Sequence, residues 1–220
     1  LKIIFTISAN FLIIIKIKTV EEPIKQPENH NEAVAVETLE QKFVRELKEF
    51  ESNDFKFKDG AKVFELGSPS QCLLNAGIPN IPIVITQSVI NKAIGNDKKK
   101  NDVSHQIPIR RLESLIHQIQ NPIVIIDSIT TSHAKLLLTE IKDTKGETAV
   151  VAIHINNMLP GKRKVNRIAS IHTRTEKGLV DLLVIAETKG ELMYADRNKL
   201  KNWLNRVGKP QLLPKLLSQL

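Results

Sequence analysis

The sequence predicts an α+β fold in which N-terminal helices pack on a four-stranded antiparallel sheet, with a C-terminal helix closing the chain. Two observations carry this. Segments with helical spacing of apolar residues concentrate before Asn121, whereas extended segments follow one another from Ile123 to Thr173. No internal repeat is visible, and 41% hydrophobic content over 220 residues is enough for one sizeable core with appendages.

Residues 1–18 begin with Leu and contain the apolar run Ile3–Ile15, flanked by Lys2, Lys16 and Lys18. Thirteen residues are short for a bilayer span. The basic residues after the run and the lack of a small-residue cleavage site count against a secretory signal. Signal, anchor and reading-frame start all stay open for this segment, and it is the one route to a membrane that the sequence offers. Residues 19–57 read as an acidic, proline-containing linker followed by an amphipathic helix, with Leu39, Phe43, Leu47 and Phe50 on one face.

The main domain is expected over residues 58–208. Ser68 is the expected cap, ahead of Pro69, of a helix over Gln71–Ala76 that Gly77 ends. A strand over Ile81–Thr86 and a helix over Ser88–Ile94 follow, then a charged loop with Lys98, Lys99 and Lys100. One helix is expected from Pro108 to Gln118. After Asn121-Pro122 the strands are Ile123–Asp127, Lys135–Lys142, Ala149–Asn156 and Asn166–Thr173, with a hairpin turn at Asp143–Gly146. Leu179–Ala186 fits helix or strand equally. Leu192–Ala195 reads as a short strand, Asp196 caps the last helix to about Val207, and residues 209–220 form a tail.

The chemistry concentrates between Glu147 and Arg174. Period-two geometry puts Thr148, His154 and Asn156 on one face of the first strand. In the second, Asn166, Ser170, His172 and Arg174 share a face interrupted by Ile168. The intervening turn carries Lys162, Arg163 and Lys164. Cleavage of RNA without a metal needs a base for the 2′-hydroxyl, an acid for the leaving oxygen and cationic support for the phosphorane. Imidazole, Arg, Ser and Asn suit those tasks. For any one histidine taken alone, a structural or solvated role is the more common one.

Other classes find little support. The single cysteine, Cys72, excludes an internal disulfide framework and a thiolate zinc site. There is no H-E-x-x-H, no Gly-rich phosphate loop and no G-x-S-x-G elbow, so neither metal nor organic cofactor is expected. Aromatics make up only 4% of the chain, which argues against base-stacking platforms. A net charge of +8 favours a polyanionic partner, or reflects a generally Lys-rich proteome.

Phe64-Glu-Leu-Gly67, Ser104-His105-Gln-Ile107, Asn121-Pro-Ile-Val-Ile-Ile-Asp-Ser128, Val165-Asn-Arg-Ile-Ala-Ser170-Ile and Leu192-Met-Tyr194-Ala-Asp196 occur in an order that resembles the C-terminal toxin domain of phage MuF-type proteins. The resemblance covers roughly residues 60–205. It implies the fold of the barnase/EndoU/colicin/RelE-like nucleases and metal-independent ribonuclease activity. His105, Ser128, Asn166, Ser170 and Tyr194 are the positions it matches, and His172 stands where the family pattern has an aromatic hydroxyl.

The expected catalytic set is therefore His105 as acid or base, Asn166 and Ser170 orienting the phosphate, Arg174 offsetting its charge, and His172 or His154 as second proton carrier. The expected RNA contacts are Lys98, Lys99, Lys100, Ser128, His154, Lys162, Arg163, Lys164 and Tyr194. An acidic immunity protein is the expected protein partner. A delivered effector of this kind, carried by phage or secretion, would act in the cytoplasm. The competing expectation is a basic nucleic-acid- or protein-binding domain of a phage or mobile element, without turnover.

Overall fold

The computed structural model describes residues 36–54, 62–96, 106–218 and 220. Thr38 opens the first helix, α1 (Leu39–Ser52), with a capping box: its hydroxyl accepts from Gln41 N at 3.2 Å, and Gln41 Oε1 accepts from Thr38 N at 2.8 Å. Phe43, Leu47 and Phe50 form the buried face that the apolar spacing predicts. They pack on β1 (Val63–Glu65), where the Phe64 ring lies edge-on to Phe43 at 5.8 Å and to Phe50 at 6.4 Å. Gly67 follows with φ +90°, and a Cβ there would come within 2.9 Å of the Leu39 side chain. The left-handed backbone is what calls for glycine here, since the exposed Leu39 side chain can move aside.

Next come α2 (Gln71–Asn75), β2 (Ile83–Thr86) and α3 (Gln87–Ala93). Ser70, rather than the expected Ser68, occupies the N-cap of α2. Its hydroxyl donates to Gln120 O at 2.7 Å instead of capping the helix. The single helix expected over Pro108–Gln118 is two, α4 (Ile109–Leu112) and α5 (Leu115–Gln120). Between them the Ser114 hydroxyl donates back to Arg111 O at 3.0 Å, a local bond that competes with helix continuation.

The remaining strands are β3 (Val124–Asp127), β4 (Ala134–Lys142), β5 (Thr148–Leu159), β6 (Arg163–Arg174) and β7 (Leu192–Ala195). Leu179–Ala186, ambiguous by pattern, lies in helix α6 (Glu176–Lys189), which ends on Gly190 in the left-handed conformation. Asp196 caps α7 (Arg197–Arg206), accepting from Asn198 N and Lys199 N, as the sequence predicts. Residues expected as a tail form a 3₁₀ turn (Pro210–Leu212) and α8 (Leu213–Leu217), whose Leu216 is buried.

The four-stranded antiparallel sheet expected from the sequence is corrected on two counts. Among the described residues the sheet has seven strands, in the order β1-β2-β6-β5-β4-β3-β7, and the β2–β6 pair is parallel. The helices lie on both faces. α1 to α5 cover one, over a core that includes Ile83, Ile85, Leu137, Val151, Ile153, Ile168 and Ile171. α6, α7 and α8 cover part of the other, packing Leu183, Trp203 and Leu216 against Val124, Ile126, Leu138 and Val150. The α+β class stands, since antiparallel pairing dominates.

Candidate functional site

The second helical layer stops at β5. Its core contains Val150 but no residue of β6, so part of that sheet face carries none of these helices. The side chains there follow from the strand register. Ser170 lies opposite Ala152, His172 opposite Val150 and Arg174 opposite Thr148. The pairing then slips: Ile153 pairs with Ile168, which leaves Ala169 as an extra residue on β6. Beyond this bulge the parity is reversed, so Arg167, paired with His154 on β5 and Val84 on β2, rejoins the face of Ser170 and His172.

That bulge corrects one expectation. Asn166 does not share a face with Ser170; it pairs with Ile83, on the face covered by α1 to α5, and is fully buried. Its side-chain amide donates to Pro79 O at 2.8 Å and to Ile81 O at 3.0 Å, while its own N–H donates to Pro82 O at 2.9 Å. Asn166 ties the 79–82 segment to the start of β6 and presents nothing to the open face.

Ser170, His172 and Arg174 do come together. Ser170 Oγ lies 3.4 Å from His172 Nδ1, and Arg174 Nε donates to His172 Nε2 at 3.4 Å. In the neutral ring this leaves Nδ1 as the protonated nitrogen, facing the Ser170 oxygen. Ser170 and His172 are partly exposed and Arg174 is exposed.

The other expected residues are scattered. His154 is on the same face, but four positions along β5 from the residue opposite His172, about 13 Å at roughly 3.3 Å per residue. Arg163 also faces this side and pairs with Glu65 at 2.9 Å, with both side chains about half exposed. Lys164 pairs with Met158 and is exposed, and Lys162 sits in the turn with φ +61°. Ser128 Oγ accepts from Thr131 N at 3.2 Å and organises the β3–β4 loop.

Tyr194 is on β7, four strand spacings from β6 (about 19 Å), and packs on the core of the opposite face. Burial, then the nearby Cys72 and Asp196, push its phenol above the usual tyrosine range. His105 and Lys98, Lys99 and Lys100 lie outside the described residues.

Arg167 is the residue that simple alternation missed. Ile168, apolar on a nominally polar face, shows that the period is interrupted, but not which residue is the extra one. Among the described residues, no three His, Cys, Asp or Glu side chains converge as a metal-binding group, and no helix is long and apolar enough to cross a membrane.

An α+β domain whose strand β6 carries a basic row on the face that α6 to α8 do not reach is thus the class that fold and site define. A family model described as the phage MuF C-terminal domain matches residues 96–202, just under half of the chain. Over that range, which holds β3 to β7 with α4 to α6 and the first part of α7, the chain is similar to that phage domain. No curated protein and no solved structure matches.

Proposed function

We propose that the open face of β6 cleaves RNA without a metal, by attack of the 2′-hydroxyl on the adjacent phosphate. The observation that carries this reading is the contiguous Ser170–His172–Arg174 run on a part of the sheet that α6 to α8 leave uncovered. Ser170 orients a phosphate oxygen, Arg174 offsets the charge that develops on the phosphorane, and His172 carries a proton. His105 supplies the second proton carrier. His154, four positions along β5 from the residue opposite His172, belongs with substrate binding, together with Lys162 and Lys164. Asn166 drops out of the catalytic set. A basic face of this kind is readily blocked by an acidic immunity protein, which is the protein partner this reading implies.

The test is incubation of the full chain with total RNA in EDTA, beside His172→Ala, Ser170→Ala and His105→Ala. Cleavage by the parent that falls at least a hundredfold in the histidine variants supports the assignment. Equal cleavage by all four proteins refutes it.

A second reading is favoured by one contact. Arg174 Nε donates to His172 Nε2, and so occupies the lone pair a general base would use. On that reading the face binds a polyanion without turnover. The same incubation, followed by a filter-binding measurement, separates the two: retention of intact RNA by a folded, inactive chain selects the binding domain.

A further inference from the structure

We propose that Arg167 grips a backbone phosphate of RNA, one subsite away from the phosphate at Ser170. The proposal rests on the reading of RNA as the ligand of this face. Its starting point is an unpaired donor. Among the described residues, the buried Nε of Arg167 has no hydrogen-bond partner. Four other arginines have partners: Arg163 has Glu65, Arg45 has Glu37, Arg111 the carbonyls of Lys142 and Asp143, and Arg174 the His172 ring.

A guanidinium keeps its charge at any physiological pH and has five donors with no acceptor. A buried donor on such a group is costly when left unmade, and is retained where function supplies the missing partner. The partner must be an anion with several oxygens, because the fork of an arginine is best met by a phosphate or carboxylate.

Register selects the phosphate. Arg167 and Ser170 project from the same face of β6, and the bulge at Ala169 makes them successive side-chain positions on that face, about 7 Å apart. That separation suits neighbouring phosphates of an extended strand. His154 stands beside Arg167 on β5 and adds an imidazole N–H donor. Arg163 continues the line toward the hairpin. Arg167, Ser170, His172 and Arg174 are successive positions of this face and form a track for a polyanion, separated from Arg163 by the buried Val165.

The experiment uses the full chain and a fluorescein-labelled, fully 2′-O-methylated single-stranded RNA, which cannot be cleaved by 2′-hydroxyl attack. Anisotropy titrations over a series of salt concentrations are run on the parent, Arg167→Met, Arg167→Lys and, as a distant exposed cation, Arg206→Met. Arg167→Met is expected to lower the slope of log K against log salt by about 0.7, the value for one phosphate on a single strand. Arg167→Lys keeps the slope and weakens binding, and Arg206→Met changes neither. Thermal melting of the free proteins supplies a readout that a structural role would move the other way. Because Met removes an uncompensated donor while keeping the stem's bulk, Arg167→Met is expected to melt at or above the parent.

A parental slope in Arg167→Met, or a melting point well below the parent, overturns the proposal and leaves the RNA reading standing. A parent that binds no RNA overturns both. If a polyglutamate peptide binds in an Arg167-dependent manner and RNA does not, the partner is an acidic protein and the phosphate assignment is wrong.

Discussion

Asn166 is the residue whose role the tertiary structure changes most, and its substitution gives a quantitative test. Its amide donates to Pro79 O and Ile81 O at 2.8 and 3.0 Å from a fully buried position. Asn166→Ala removes both bonds and leaves two carbonyls without these donors. Counting about 1–2 kcal/mol for each, the expected loss is about 2–4 kcal/mol. For a unit of this size that corresponds to a fall in Tm of roughly 4–16 °C.

Asn166→Asp is the sharper variant. A carboxylate has no donor for the two carbonyls and must either ionise against them or bury a neutral acid, so its loss should exceed that of Ala. Urea unfolding followed by fluorescence suits this protein, because Trp203 is the single tryptophan and lies in the second core. The ordering parent, then Ala, then Asp is the expected result. An Asp variant as stable as the parent would refute the placement of this side chain among the carbonyls of the 79–82 segment. It would return Asn166 to the open face.

Three further outcomes follow from the geometry. The buried carboxylate of Asp143 accepts from Lys145 N at 2.9 Å, Glu147 N at 2.8 Å and the Thr173 hydroxyl at 2.8 Å, so Asp143→Ala should cost about 3–5 kcal/mol in urea unfolding and speed amide exchange at Lys145 and Glu147. Tyr194 is the single tyrosine, so absorbance at 295 nm reads it alone. Its midpoint should lie above about 10 in the folded chain and return to about 10 in urea. Since the folded pKa is the higher one, the linked stability is intact below about pH 10 and is lost as pH rises through the folded value. Tyr194→Phe should flatten that loss. The exposed Arg163–Glu65 pair should be nearly silent, with Glu65→Gln changing stability by less than about 1 kcal/mol.

Much of the chain was legible because the signals are local. The Asp196 cap, the apolar face of α1, the Asp143–Gly146 turn and the five strands from Ile123 to Ala195 each depend on residues a few positions apart. The Ser170–His172–Arg174 run is local too: period two alone aligns them, and no bulge falls between them. Even the ambiguity at Leu179–Ala186 was informative, since an apolar run of that length serves a buried strand or a buried helix. Contact with a second core settled it as helix.

What the sequence could not carry is anything set by partners far away along the chain. Three-residue β1 becomes a strand because β2 lies beside it, and β2 joins the sheet by parallel pairing to β6, some eighty residues later. Tyr194 and Ser170, expected together in one site, end on opposite faces and opposite sides of the sheet. The decisive case is the bulge at Ala169. By itself the sequence determined that β6 alternates and that His172 stands between Ser170 and Arg174. Only the pairing with β5 decided where the alternation slips, and so buried Asn166 and turned Arg167 outward. A strand's period is a property of its own backbone, but its register belongs to the pair of strands.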